Sequence, residues 1–190
     1  MSFTESVIAE KKIVLCRTGY TGERGYEILS SWNDALVVWN ALLQAVEVRG
    51  GRVAGLGARD TLRTEMGYPL HGQDLSPTIT PVTAGSSWAV GFEKPNFHGA
   101  NALRNEKAAG SKQKLRGLKL LDRGIPRSHM KVIEAGTVAR VEIGEVTSGT
   151  FSPNLKVGIA LALIDSKYVI GDQVKIDIRG KETAAEIVRL

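Results

Sequence analysis

Apolar positions near the start of the chain predict two short strands joined by a glycine-rich loop. Residues 13–16 and 26–29 are the apolar runs that predict the strands. Between them, residues 17–25 contain three glycines in nine positions. Such a composition is typical of a turn-rich, hairpin-like connection.

The apolar period then changes to that of a helix. The residues that recur at helical spacing are Leu36, Trp39, Leu43 and Val46. Asn33 or Ser31 can cap this helix, and Gly50-Gly51 ends it. A short strand is predicted at residues 52–54.

A second helix is predicted over residues 58–66, ended by Gly67 and Pro69. Residues 69–87 are rich in Pro, Thr, Ser and Gly and predict a long ordered loop, a feature that is often functional. A strand at residues 88–92 and a short helix at residues 99–107 follow. Residues 108–114 are small and polar, and they predict a linker.

Short β-rich runs separated by Gly, Pro, Asn and Asp dominate the second half. They lie at residues 115–121, 131–133, 137–143, 159–163, 174–178 and 184–188. Regular short strands with turn signals are typical of a small antiparallel barrel or sandwich. The predicted class is therefore α+β, with an α/β part in residues 1–108 and a β-barrel domain in residues 109–190.

Net charge, cysteine and histidine content and the length of apolar runs exclude only a few classes of function. The 190 residues carry a net charge of +5 and a sequence pI of about 9.4, which favours anionic partners. Cys16 is the only cysteine, so an internal disulfide is excluded, and we interpret it as a buried apolar thiol. The three histidines are far apart, and no metal site is expected. No apolar run is long enough to span a membrane, and no secretory signal is evident, so we expect a soluble intracellular protein.

The glycine-rich loop is the most informative chemical feature. It lacks the ending of a phosphate-binding loop and leads instead from Tyr20 to Glu27. An aromatic ring can cover a flat heterocycle, and a carboxylate can accept two parallel N–H bonds from an amino-pyrimidinone edge. A tight hairpin with a surface tyrosine and a strand glutamate is the alternative.

Two further candidates follow the loop. Arg59 and Arg63 lie four residues apart on the second predicted helix, and either an anionic ligand or Asp60 can offset their repulsion. Tyr68 and His71 can line a pocket beside the helix end, although the interpretation of His71 as an ordinary, partly exposed histidine is favoured.

Together these segments resemble the aminomethyltransferase family, the T-protein of the glycine cleavage system. The matching first-half segments are Arg-Thr-Gly-Tyr-Thr-Gly-Glu-Arg-Gly-Tyr-Glu-Ile at 17–28, Gly-Leu-Gly-Ala-Arg-Asp-Thr-Leu-Arg at 55–63 and Tyr-Pro-Leu-His-Gly-Gln-Asp at 68–74. The second-half segments are Asp-Arg-Gly-Ile-Pro-Arg at 122–127, Val-Thr-Ser-Gly-Thr-Phe-Ser-Pro-Asn-Leu at 146–155 and Ile-Ala-Leu-Ala at 159–162.

The resemblance implies transfer of a methylene group from an aminomethyl-lipoyl arm of the H-protein to tetrahydrofolate, with release of ammonia. It implies that Glu27 bonds the pterin edge, that Tyr20 helps to enclose it and that Arg59 faces the folate, with Tyr68 a further candidate. It places residues 1–108 in the C-terminal part of the folate-binding domain. The compartment would be the bacterial cytoplasm or the mitochondrial matrix.

The resemblance covers only the last half of the family. We therefore expect a C-terminal fragment whose partner is the missing N-terminal half, and which is inactive alone because no general base can be assigned in it. An iron–sulfur-assembly relative is the alternative, but its motif needs a lysine and a cysteine where Arg17 and Gly19 stand. RNA binding by the barrel is disfavoured because Phe151 and Tyr168 are the only aromatic residues after Phe97.

Overall fold

The computed structural model describes residues 1–136 and 138–190. By its internal contacts the chain divides into two compact units, Met1–Arg63 and Thr64–Leu190. The boundary predicted at residues 108–109 separates the α/β part from the barrel, which is a different division of the chain, and it stays a prediction.

The first unit contains a three-stranded antiparallel sheet and a helix. The strands are β1 (Phe3–Ile8), β2 (Lys11–Cys16) and β3 (Glu27–Ser30), in the order β1-β2-β3. The helix α1 (Ala35–Glu47) follows a 3-10 turn at Trp32–Asp34. Ser31 caps that turn, because its hydroxyl accepts a hydrogen bond from the Asp34 amide at 3.3 Å. Of the two predicted caps, the structure uses Ser31.

Two details of this unit differ from the sequence-based prediction. β1 was not predicted, because its turn to β2 uses Ala9 and Glu10 at positive φ instead of the usual Asn-Gly pair. Residues 52–54 are all described and form no strand, since they pair with no strand of the described chain. The helix α2 (Leu56–Glu65) follows, close to its predicted bounds, and crosses the boundary between the units.

The second unit contains one helix and a closed barrel. The helix is α3 (Ala100–Ala109). The strands are β4 (Gln113–Leu120), β5 (Lys131–Glu134), β6 (Glu142–Ser152), β7 (Val157–Asp165), β8 (Gln173–Ile178) and β9 (Lys181–Val188). They close in the order β4-β7-β6-β5-β8-β9, with every neighbouring pair antiparallel. The predicted α+β class with a C-terminal antiparallel barrel is confirmed.

Branched aliphatic side chains fill the barrel. The largest fully buried ones are Leu118, Leu120, Val132, Val146, Ile164, Val174, Ile176 and Ile187. Glycine is required where β6 meets the chain before β5. A Cβ on Gly149 would lie 2.6 Å from the carbonyl oxygen of Pro126, which is closer than real contacts allow.

Two predicted strands of this unit are wrong or misplaced. Residues 88–92 form a 3-10 turn at Ser87–Ala89 with local hydrogen bonds, and these occupy the amides that a strand would pair. The strand predicted at 137–143 begins later, at Glu142, and continues to Ser152; Thr137 lies outside the described residues. Buried hydroxyl side chains and a bulge between Val146 and Ser148 hide this strand's alternation in the sequence.

Two carboxylates form hydrogen bonds between the long loop at residues 69–87 and neighbouring elements. Asp74 is fully buried, and it accepts hydrogen bonds from the Leu70 amide and from the hydroxyls of Thr147 and Ser148 on β6. Glu106 of α3 accepts hydrogen bonds from Thr80, Thr83 and Ser111. These side-chain hydrogen bonds connect the loop at residues 69–87 to β6 and α3, in addition to the backbone hydrogen bonds of its turns.

Candidate functional site

The glycine-rich loop is closed by its first residue. The Arg17 amide donates to the Ser2 carbonyl at 2.8 Å, which continues the β1–β2 pairing. The Arg17 guanidinium donates to the Gly25 carbonyl at 2.7 Å and lies 4.8 Å from the centre of the Tyr26 ring. This combination of a hydrogen bond and a cation–π contact joins the two ends of the loop.

Glu27 begins β3, directly after the loop. It pairs with Cys16 across the sheet, so the two side chains lie on the same face. The Thr18 hydroxyl donates to one oxygen of the Glu27 carboxylate. Glu27 is exposed, so its carboxylate is available to a ligand while Thr18 restricts its orientation. Cys16 is half-buried, less than the fully buried thiol that the sequence suggested.

Tyr20 and Arg59 are brought together by the fold. The Arg59 guanidinium lies 4.5 Å from the centre of the Tyr20 ring. Tyr20 is half-buried and Arg59 is exposed. Because a planar guanidinium over an aromatic face is a favourable arrangement, α2 holds the loop at this point.

The two arginines of α2 have different surroundings. Arg63 is only 1% exposed and forms hydrogen bonds to one oxygen of Asp60, at 2.6 and 2.8 Å. The alternative that Asp60 offsets the repulsion therefore applies to Arg63. Arg59 is the exposed arginine of the two.

The remaining candidates lie in the second unit. Tyr68 is half-buried and follows α2 by three residues. His71 is exposed, and its backbone forms an isolated bridge with Leu75. The buried residue of this motif is Asp74, which anchors the loop to β6.

The Glu145 carboxyl of the barrel has a shifted pKa. The Lys131 ammonium and then the His129 ring hold the pKa of the Glu145 carboxyl below its ordinary value. Among residues 1–136 and 138–190, no cluster of His, Cys, Asp or Glu is arranged to hold a metal ion. No helix in that same part of the chain is long and apolar enough to cross a bilayer.

Sequence reasoning proposed Glu27, Tyr20 and Arg59 as site residues, and the structure adds two residues that contact this part of the loop. Thr18 orients the Glu27 carboxylate, and Arg17 closes the loop. The signal for Thr18 was its place near the end of β2, opposite the start of β3, where cross-strand neighbours meet.

The architecture is a sheet with a glycine-rich loop followed by a closed antiparallel barrel, and two family models match these two parts. The family model described as the GCVT N-terminal domain matches residues 1–94, and the one described as the glycine cleavage T-protein C-terminal barrel domain matches residues 113–190. The chain therefore belongs to the glycine cleavage T-protein family.

Two similar proteins are aminomethyltransferases from the species named below. An aminomethyltransferase of Parafrankia sp. (strain EAN1pec) is 53% identical over 189 residues, which span 100% of this chain and 51% of the relative. An aminomethyltransferase of Mycobacterium tuberculosis (strain ATCC 25618 / H37Rv) is 50% identical over 99% of this chain and 51% of the relative. The chain thus spans about half the length of the curated relatives it matches.

A solved structure agrees with this assignment. The aminomethyltransferase T of the glycine cleavage system from Bartonella henselae superposes with a TM-score of 0.86 at 34% identity. The match covers 94% of this chain and 49% of that chain. The family resemblance inferred from the sequence is confirmed.

Proposed function

We propose that this chain is part of an aminomethyltransferase of the glycine cleavage system. In this reaction the H-protein presents an aminomethyl group on a sulfur of its lipoyl arm. Tetrahydrofolate takes the methylene, which gives methylene-tetrahydrofolate, ammonia and the reduced lipoyl arm. Family membership supports the reaction type, and the exposed Glu27 carboxylate held by Thr18 is the observation that supports a pterin site here.

The proposed residue roles follow from their chemistry. Glu27 accepts two N–H bonds from the amino-pyrimidinone edge of the pterin. Tyr20 covers part of the ring system, and Arg59, already stacked on Tyr20, faces the anionic or aminobenzoate portion of the folate. Tyr68 is a further candidate for lining the pocket. No residue of this chain is assigned as a general base.

The chain is proposed to act together with the part of the enzyme that it does not span. Its relatives are about twice as long, and the half without a counterpart here would supply the group that handles the proton. On its own the chain is expected not to turn over. The proposed compartment is the bacterial cytoplasm or the mitochondrial matrix.

A transfer assay tests the proposal. The H-protein loaded with its aminomethyl group is mixed with tetrahydrofolate, and formation of methylene-tetrahydrofolate is followed. The chain is assayed alone and together with the unmatched half of the Parafrankia sp. relative. We expect product only when both halves are present.

Two results would contradict this account. Full turnover by the chain alone would show that the missing half is not required. No transfer by an assembled pair that binds tetrahydrofolate would show that the reaction is a different one.

A further inference from the structure

Strand β6 of the second unit changes the face that it presents at its bulge. Before the bulge, Val146 lies opposite Ala162 of β7, and both belong to the cluster that fills the barrel. After the bulge, Ser148 lies opposite Leu161, which is 1% exposed but is not part of that cluster. Because side chains alternate along β7, Leu161 points away from the barrel interior. The later part of β6 therefore turns Ser148 and the residues that alternate with it to the outer face of the barrel.

This outer face of β6 carries buried hydroxyl groups. Ser148, Thr150 and Ser152 are each at most 7% exposed. Buried hydroxyl groups are nearly always hydrogen-bonded, so each indicates a neighbouring chain segment that covers the face. For Ser148 and Ser152 the acceptors are the carboxylates of Asp74 and Glu65, which lie far earlier in the sequence but within the same unit.

The first carboxylate belongs to Glu65, the last residue of α2. It accepts a hydrogen bond from the Ser152 hydroxyl, and the side-chain amide of Asn154 donates to it at 2.8 Å. The Ser152 hydroxyl in turn accepts a hydrogen bond from the Leu155 amide at 3.0 Å. The end of α2 is therefore attached to the end of β6 and to the turn that follows it.

The second carboxylate belongs to Asp74, which is fully buried. It accepts hydrogen bonds from the hydroxyls of Thr147 and Ser148, at the bulge of β6. The same carboxylate accepts a hydrogen bond from the Leu70 amide at 2.8 Å. Asp74 therefore connects β6 to the backbone two residues after Tyr68.

Tyr68 lies between these two points of attachment, and its neighbours in the chain are restricted. Gly67 has a φ of 67°, and a Cβ there would lie 3.2 Å from the backbone of Leu190. The ring of Pro69 fixes the φ of the residue that follows Tyr68. The backbone that carries Tyr68 therefore has little freedom, and a side chain that is already held in place loses less entropy when a ligand binds.

We propose that Glu65 and Asp74 are positioning residues that hold Tyr68 in place for tetrahydrofolate by attaching its segment to the outer face of β6. The inference rests on the proposed function, in which Tyr68 is a candidate for lining the folate pocket. Neither carboxylate is assigned to the folate itself, and each acts through Tyr68. The barrel thereby contributes to folate binding through the segment that precedes it.

A double-mutant cycle tests the inference. The full chain is combined with the unmatched half of the Parafrankia sp. relative, and the dissociation constant for tetrahydrofolate is measured by isothermal titration. We expect Asp74→Asn and Tyr68→Ala each to weaken binding by about fivefold or more. Added to Tyr68→Ala, Asp74→Asn should change the affinity by less than about twofold, because the side chain that it positions is gone.

Two further variants make the cycle specific. Glu65→Gln is a milder change at a partly exposed position, and it is expected to show the same dependence on Tyr68. Asp172→Asn is the matched control, because it also removes a carboxylate of the second unit that accepts a backbone hydrogen bond, from the Val169 amide at 2.8 Å. This control is expected to bind tetrahydrofolate as the wild type does.

Amide hydrogen exchange of the full chain gives a second measurement that does not depend on folate. In Asp74→Asn the amides of residues 66–74 are expected to exchange faster than in the wild type, while those of β4 and β7 keep their rates. Faster exchange throughout the barrel would overturn the inference, because Asp74 would then stabilise the whole unit instead of positioning one segment.

The outcomes separate the inference from the proposed function. Equal weakening by Asp74→Asn with and without Tyr68, or unchanged exchange at residues 66–74, overturns the positioning role and leaves the proposed function intact. Unchanged affinity in Tyr68→Ala overturns it as well. A wild-type pair that binds no tetrahydrofolate contradicts the proposed function itself and, with it, the folate role of Tyr68.

Discussion

At the residue scale, the candidate site depends on how one carboxylate is held. Glu27 begins a strand whose neighbour, β2, ends at Cys16, and the Thr18 hydroxyl two residues later reaches its oxygen. Arg17 closes the loop from the other side through the Gly25 carbonyl and the Tyr26 ring. Glu27 is thus presented at the surface in a defined orientation, and no charged partner neutralises it among the contacts described.

Replacing Thr18 by valine should weaken folate binding without unfolding the chain. The substitution keeps the β-branched shape and removes one hydrogen bond to the carboxylate, a loss of about 1 kcal/mol or about fivefold in affinity. The measurement is the dissociation constant for tetrahydrofolate of the assembled halves. Thr21→Val is the control in the same loop, since the Thr21 hydroxyl accepts a hydrogen bond from the Glu23 amide and makes none to Glu27 among the described residues. Unchanged affinity in Thr18→Val would mean that this hydroxyl does not position the carboxylate.

The candidate residues were predictable from the sequence where their chemistry was distinctive. A carboxylate and an aromatic ring around a glycine-rich loop indicated Glu27 and Tyr20. The residues alone left Arg59 and Arg63 as alternatives, because both lie on one helix face and Asp60 can pair with Arg63 by spacing alone; the family resemblance selected Arg59. Only the folded chain shows that Arg63 is buried and bonded to Asp60, and that Arg59 stacks on Tyr20.

At the element scale, the barrel depends on close backbone approaches at a few glycines. Gly149→Ala would place a Cβ within 2.7 Å of the Pro126 carbonyl carbon, and backbone cannot yield as a flexible side chain can. We expect the free energy of unfolding to fall by about 1–3 kcal/mol, measured by urea denaturation. Gly57→Ala on α2 meets nothing within 4 Å and should be neutral or slightly stabilising. Equal effects of the two substitutions would show that the approach at Gly149 does not constrain the barrel.

The hydrogen bonds that the Glu106 carboxylate accepts should make the stability of the second unit sensitive to acid. Burial raises the pKa of the Glu106 carboxyl, but the hydrogen bonds from Ser111, Thr80 and Thr83 outweigh it, and the pKa lies below its ordinary value. A lowered pKa in the folded state means that the stabilisation is present above the unfolded-state pKa, about 4.3, and is lost as the pH falls through the folded-state pKa. Glu106→Gln keeps an oxygen that accepts hydrogen bonds and removes the titration.

We therefore expect Glu106→Gln to lose less stability than the wild type between pH 6 and pH 3. Urea denaturation across that range, with Glu93→Gln as an exposed control, measures the difference. Identical pH profiles for the wild type and Glu106→Gln would show that this carboxylate does not contribute to acid sensitivity.

Strands with clear apolar runs were predictable, and those with buried hydroxyls were not. β7 and β8 were located from their aliphatic runs, because side chains that fill a barrel must be apolar on the inner face. Most of β6 was missed, since its buried positions include Ser148, Thr150 and Ser152, whose burial depends on partners distant in sequence. Ser148 pairs with Asp74 and Ser152 with Glu65, and no local pattern encodes either contact.

At the scale of the whole molecule, apolar burial is divided unequally between the two units. The second unit has a filled barrel, whereas the first has a sheet and a helix whose apolar sides are both largely open. The apolar stripe of α1, from Leu36 to Val46, was predictable from its spacing, but its exposure was not, because periodicity shows that a face is apolar and not what covers it.

Amide hydrogen exchange should show the difference in apolar burial between the two units directly. In the chain alone, amides of β1, β2, β3 and α1 are expected to exchange faster than those of β4 and β7, because few apolar contacts oppose local opening. Adding the complementary half should slow exchange in the first unit and leave the barrel nearly unchanged. Exchange that is equally slow in both units of the isolated chain would show that the first unit needs no partner.

The most direct test of the central claim is the affinity of the assembled halves for tetrahydrofolate with and without the Glu27 carboxylate. Isothermal titration is performed on the wild type, on Glu27→Ala and on Glu23→Ala, which removes an exposed carboxylate from the same loop. Loss of paired hydrogen bonds to a charged group costs about 1.5–3 kcal/mol, so Glu27→Ala should bind about 10- to 150-fold more weakly, while Glu23→Ala binds as the wild type does. Equal affinity in Glu27→Ala and the wild type would contradict the assignment of Glu27 to the pterin.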